Sequence, residues 1–136
     1  MVQDTKDRSS VRKMCHALSK DARKDIIIIL YNYKFRSIRA LARELQVSTP
    51  AVAKYLSGRT HPRDEVICRA IEIAASDDSI KREIKNIIFK DIINTLEGML
   101  SWMLENDMLA SKDLDIIASK ISMYKLAMIG APSASP

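Results

Sequence analysis

The sequence predicts an all-α chain, with four to five short helices in its N-terminal half and two longer ones in its C-terminal half. Three observations carry this expectation. Its 136 residues hold only three glycines and four prolines, too few to build many turns. Apolar residues recur at the i, i+3, i+4, i+7 spacing of a buried helix face through most of the chain. No stretch shows the sustained alternation of apolar and polar residues that marks an array of half-buried strands.

Residues 1–10 are polar and without apolar rhythm, and are expected to form a flexible arm. Val11, Met14, Cys15 and Leu18 then line one face of a first helix. Either Ser19 or Asp21 can cap a second, which runs through Ile26–Ile29 and Leu30 to about Tyr33. Four consecutive isoleucines would also suit a buried strand. The helix-forming flank Asp21–Asp25 and the lack of a partner strand favour helix. Ser37 reads as an N-cap, followed by Ile38, Leu41, Ala42 and Leu45 on one face. After the break at Gln46-Val47, Ser48 caps the next helix, with Pro50 in the first turn, where a missing N–H costs nothing. Gly58 ends that helix and Arg59-Thr60-His61-Pro62 form a loop. Another helix spans about 63–75, with Val66, Ile67, Ala70, Ile71 and Ala74 inward. The polar run Ser76–Ser79 is the best candidate boundary, making 11–76 one domain and 79–129 a second region. Helices of about 80–105 and 112–129 follow, and 130–136 are expected to be a disordered tail.

The net charge of +5 is unevenly placed. Residues 1–65 carry 14 Lys/Arg against 7 Asp/Glu, whereas residues 66–136 carry 8 against 10. A basic half of this kind suits a polyanionic partner. Cys15 and Cys68 lie at apolar helical positions without metal-ligand spacing, and His16 and His61 complete no site. Buried free thiols, and hence a reducing cytoplasm, are the expectation. No metal, cofactor or small-molecule effector is indicated. No paired carboxylates, nucleophile with a base, or glycine-rich phosphate loop supports an enzyme. Cys15-His16 are adjacent on a helix and point apart. The longest apolar run, Ile26–Tyr31, is too short to cross a bilayer, so no membrane partner is expected.

The informative stretch is Ser37–Pro62. Two short helices are joined by a tight turn. The second turns Val52, Tyr55 and Leu56 inward and Pro50, Ala53, Lys54 and Ser57 outward, with Thr49 on the shoulder. No acidic residue lies between Gln46 and Arg63. Small and polar side chains with one cation suit a helix lying in a major groove. The run Leu41-Ala42-Arg43-Glu44-Leu45-Gln46-Val47-Ser48-Thr49-Pro50-Ala51-Val52-Ala53-Lys54-Tyr55-Leu56-Ser57-Gly58-Arg59 resembles the helix-turn-helix of the Cro/repressor (Xre-like) DNA-binding family, with residues about 21–75 as its helical domain. Ala42 stands where two helices cross tightly. Gln46 departs from the pattern, since the family usually places a left-handed glycine there. The segment Ala17–Ile26 is also similar to the opening of winged-helix regulators of the ArsR type, which continue with a β-hairpin wing.

The first resemblance implies double-stranded DNA as partner, with the helix at about 48–57 in the major groove. Thr49 and Lys54 would reach base edges, with Ser57 beside them, while Pro50 and Ala53 would touch a thymine methyl. Arg36, Arg39, Arg43 and Ser48 would grip phosphate on one side, and Arg59, His61 and Arg63 on the other. In the C-terminal half, Ile88, Ile92, Leu96, Leu100, Trp102 and Met103 belong to a helix that is apolar nearly all round and must be buried on most sides. Leu114, Ile117, Ile121, Tyr124 and Met128 follow at 3-4-3-4 spacing, a coiled-coil-like seam. Both sets are expected in a homodimer interface built as an intertwined four-helix bundle. A dimeric, nucleoid-associated transcriptional regulator in the cytoplasm is the resulting expectation. A plasmid or viral partition protein using the same module, or a protein-interaction adaptor using the apolar helices, is the alternative. The isoleucine-rich composition suggests a thermophilic source.

Overall fold

A computed structural model describes the backbone of residues 2–129 and side chains from Ser9 onward. The tail expected at 130–136 lies outside the described residues. Among the described residues seven α-helices follow one another: α1 (Val2–Ala17), α2 (Lys20–Leu30), α3 (Ile38–Leu45), α4 (Thr49–Ser57), α5 (Asp64–Ala75), α6 (Asp78–Glu105) and α7 (Ser111–Ile129). The all-α expectation holds, and no strand occurs among the described residues. The chain divides into two compact units, Met1–Asn94 and Thr95–Pro136.

The first unit is held by an interior that contains no buried charged or polar residue among those described. From α2 it takes Ala22, Ile26, Ile27 and Leu30, so the isoleucine run is helical and half of it faces the core. Leu41, Ala42 and Leu45 come from α3, and Val52 and Tyr55 from α4. The five inward residues of α5 are all buried, as their spacing requires. Helix α1 packs on α5, α2 on α4 and α5, and α3 on α4 and α5. Among the capping candidates, Ser19 caps α2, its Oγ accepting from Ala22 N at 3.1 Å. Past Leu30 the chain continues through a π-helical turn, Tyr31–Phe35, closed by Arg36 N donating to Tyr31 O at 2.7 Å.

Four expectations are corrected. Residues 2–10, expected as a flexible arm, are helical in backbone and form the first turns of α1. Cys15 and Cys68 are not free thiols. They form a disulfide between α1 and α5, with Cα atoms 5.8 Å apart, so the argument from free thiols to a reducing compartment falls. The winged-helix resemblance has no wing, because α5 stands where a hairpin would follow. Ser76–Ser79 is not a domain boundary either. Asp77 Oδ1 accepts from Ser79 N (3.0 Å) and Ser79 Oγ (2.6 Å), and its Oδ2 meets Lys34 Nζ at 2.6 Å. This anchored corner delivers Ile80 and Ile84 of α6 into the first core. The division falls inside α6 instead, after Asn94.

In the second unit α7 has no buried residue. The connection between α6 and α7 turns at Asp107, left-handed at φ 56°. Its N–H donates to Leu104 O at 3.3 Å and that of Met108 to Met103 O at 2.8 Å, the paired bonds of a Schellman stop. Asp113 Oδ2 then accepts from Ala110 N at 2.8 Å at the start of α7.

Candidate nucleic-acid interface

The unit α3–turn–α4 is set by three local devices. Ser37, in extended backbone, caps α3 through Ala40 N at 3.2 Å, and Ser48 caps α4 through Ala51 N at the same distance. Between them Gln46 adopts the left-handed conformation (φ 58°, ψ 44°) that the resemblance assigns to glycine. Gln46 N donates to Arg43 O (3.2 Å) and Val47 N to Ala42 O (3.0 Å), closing a Schellman turn. Val47 then packs against the core, the apolar contact that accompanies such a turn. At the far end Gly58 (φ 81°) closes α4 in the same way, with Gly58 N on Tyr55 O (3.2 Å) and Arg59 N on Lys54 O (3.0 Å).

These turns fix which face of α4 is free. Val52 and Tyr55 are buried, and Ala51 and Leu56 pack partly on the core. Thr49, Pro50, Ala53, Lys54 and Ser57 are all exposed. Nine residues at 1.5 Å each make this face about 13 Å long, comparable to the ~12 Å width of a major groove. One detail modifies the expected chemistry. Ser57 Oγ donates to Lys54 O at 3.1 Å, so its proton is used inside the helix and its lone pairs are what it offers outward. Ser48 Oγ accepts in its cap and keeps its proton for an external acceptor.

Arg36, Arg39 and Arg43 are exposed around α3, and Arg59 and Arg63 are exposed after α4. His61 differs from them. It is half-buried, and its Nδ1 is shielded without a hydrogen-bond partner. At most its Nε2 remains for an outside ligand.

Residues not singled out in the sequence hold this surface in place. Arg23, with a side chain 11% exposed, donates Nε to Leu18 O (3.0 Å), Nη1 to Pro62 O (2.8 Å), and Nη2 to Cys15 O (2.7 Å) and Asp64 Oδ1 (2.9 Å). It therefore satisfies the open carbonyls at the end of α1 and pins the loop that carries Arg59, His61 and Arg63. Asp64 Oδ2 also lies 2.8 Å from His16 Nδ1. Hydrogen bonds from His16 and then Arg23 hold the Asp64 carboxyl below its ordinary range, so the acid beside Arg63 is compensated. Arg69 Nη1 donates to Leu45 O at 2.7 Å and closes the end of α3. Lys24 lies against Gly58, where an added Cβ would come within 3.2 Å of Nζ, and so adds a cation at the end of α4. None of these has a sequence signal, because each depends on a partner brought close only by packing.

The expected dimer residues divide in two. Ile92, Trp102, Leu114, Ile121, Tyr124 and Met128 are exposed, and Ile88, Leu96, Leu100, Met103 and Ile117 are half-buried. Among the described residues no group of three or more His, Cys, Asp or Glu is placed to hold a metal ion, and no helix is long and apolar enough to cross a membrane. Compared with known proteins, the chain matches no family model, no curated protein and no solved structure.

Proposed function

We propose that this protein binds double-stranded DNA sequence-specifically as a dimeric transcriptional regulator, with α4 lying in the major groove. The observation that carries the proposal is the free face of α4. It is exposed, acid-free and of groove-filling length, and it stands on the second helix of a pair closed by Schellman turns at Gln46 and Gly58. Thr49 and Lys54 take base edges, Pro50 and Ala53 take thymine methyls, and Ser57 accepts from a base donor. Arg36, Arg39, Arg43 and Ser48 hold phosphate on one side, and Arg59, Arg63 and His61 Nε2 on the other. Lys24 joins the second group through its place beside Gly58. No catalytic step belongs to this reading. One short helix reads few base pairs, so two copies on a palindrome supply the specificity, with half-sites about 34 Å apart.

The reading places the chain in the cytoplasm, on the nucleoid. A disulfide in such a protein accords with the disulfide-rich intracellular proteins of hyperthermophiles, and with the isoleucine-rich composition. A protein-docking adaptor is the second reading, favoured by the apolar exposure of α7.

Selection from a random duplex pool tests the proposal. Enrichment of a palindrome with its half-sites one helical turn apart supports it. A pool that stays random at low salt, with no retained duplex, contradicts it.

A further inference from the structure

An apolar groove of about 310 Å³ opens on the first unit, lined by no residue of α3 or α4. Its walls are Met14 of α1, Ile71 and Ala75 of α5, and Ile84, Ile88 and Ile92 of α6. Phe89 at its edge is 59% exposed, unusual for a phenylalanine with nothing over it. Lys81 and Lys85, one turn apart near its α6 N-terminal end, are exposed residues that line it with their aliphatic stems and carry two cations at its rim. From Ile84 to Ile92 the groove runs about 12 Å along α6, room for about two turns of another helix.

The second unit supplies a helix that needs such a place. Twelve large apolar side chains between Met99 and Ile129 are exposed. At about half exposure each they leave on the order of 1,000 Å² of apolar surface, more than the largest patch of an ordinary monomer and about what one partner gives to a stable interface. In α7, Leu114, Ile117 and Ile121 share one face over about 10 Å, close to the groove's length. Asp113 and Asp115 flank Leu114.

We propose that the groove takes α7 of a second copy of this chain, so that two chains exchange their C-terminal helices. Leu114, Ile117 and Ile121 fill the groove, and the two aspartates meet Lys81 and Lys85. That pairing of charges requires α7 to run parallel to α6. The five residues 106–110 make an antiparallel return the default for consecutive helices of one chain. That sense would bring Lys120 and Lys125, not the aspartates, toward the two lysines. A helix from another chain has no such restriction. This inference rests on the dimer of the functional proposal and names its contact surface, and it needs no DNA to be tested.

Light scattering on the full chain, diluted through the dissociation range without DNA, tests it. Wild type is expected at twice the 15.4 kDa chain mass. Lys85→Glu and Asp115→Lys, both at exposed positions, should each raise the dimer dissociation constant about tenfold, and their combination should recover most of that loss. Asp113 is left intact because it starts α7. Ala75→Trp, which fills the groove from an exposed position, should weaken the dimer while circular dichroism stays helical. A monomeric wild type overturns both the exchange and the dimer. A dimer indifferent to these changes, or swaps that fail to rescue each other, overturns the exchange and leaves the dimer standing.

Discussion

Gln46 occupies left-handed backbone in the turn between α3 and α4, and that single position links stability to the candidate site. A side chain there costs about 1 kcal/mol or more, while glycine loses part of its advantage through the freedom it gains when unfolded. Gln46→Gly should therefore raise unfolding free energy by about 0.5–1 kcal/mol in urea titration, with DNA affinity unchanged. Arg23 acts in the opposite sense. Arg23→Ala removes bonds to four carbonyls and a carboxylate, and should cost about 3 kcal/mol of stability by the same titration. The caps Ser37 and Ser48 were legible because a serine stands just before each apolar period. Arg23 and Arg69 were not, because the carbonyls they serve are distant in sequence or exposed only by helix endings. Asp77 gives a pH signature. Its hydrogen bonds to Lys34 and Ser79 lower its pKa from 3.8 to about 2. A carboxylate lowered on folding stabilises the fold above its unfolded pKa and loses that contribution as pH falls. The Asp77 contribution is thus complete above about pH 4 and lost toward pH 2. Acid titration of Asp77→Asn should show a flatter decline of stability in that window than wild type.

At the scale of elements, the α3–α4 pair could be read almost whole, because two serine caps, Pro50, Gly58 and the 3.6-residue period all agree. The core face of α5 was legible for the same reason. The disulfide was not. Cys15 and Cys68 are 53 residues apart, and nothing in either local pattern says that α1 lies on α5. A closure of that length constrains the unfolded chain by about 4 kcal/mol in the loop-entropy account. Cys15→Ser/Cys68→Ser, or full reduction, should therefore lower stability by up to about that amount, and a thermal melt with and without a dithiol reductant will show it. The π turn after α2 was also hidden, since Tyr31–Phe35 has an ordinary helical composition. Its closing residue, Arg36, is left-handed, and this turns the chain toward Ser37 and the start of α3.

At the scale of the molecule, the charge asymmetry was plain in composition, and its use depends on which cations are free. Arg23, Lys34 and Arg69 are engaged internally. Arg36, Arg39, Arg43, Lys54, Arg59 and Arg63 remain exposed around one helix pair. The boundary between units is not legible in the sequence, because polar composition marks both linkers and tight corners. Only the burial of Ile80 and Ile84 tells them apart. The six cations assigned to phosphate, Lys24, Arg36, Arg39, Arg43, Arg59 and Arg63, predict a slope of log affinity against log salt of about −5 per copy, reduced in magnitude by about 2 in Arg39→Ala/Arg43→Ala. The most direct test of the central claim is the affinity of Thr49→Ala/Lys54→Ala, relative to wild type, for the selected duplex and for a scrambled one. The account predicts that this change removes the preference for the selected duplex while binding to scrambled DNA falls little. Preference retained in the double variant would contradict the placement of α4 in the groove.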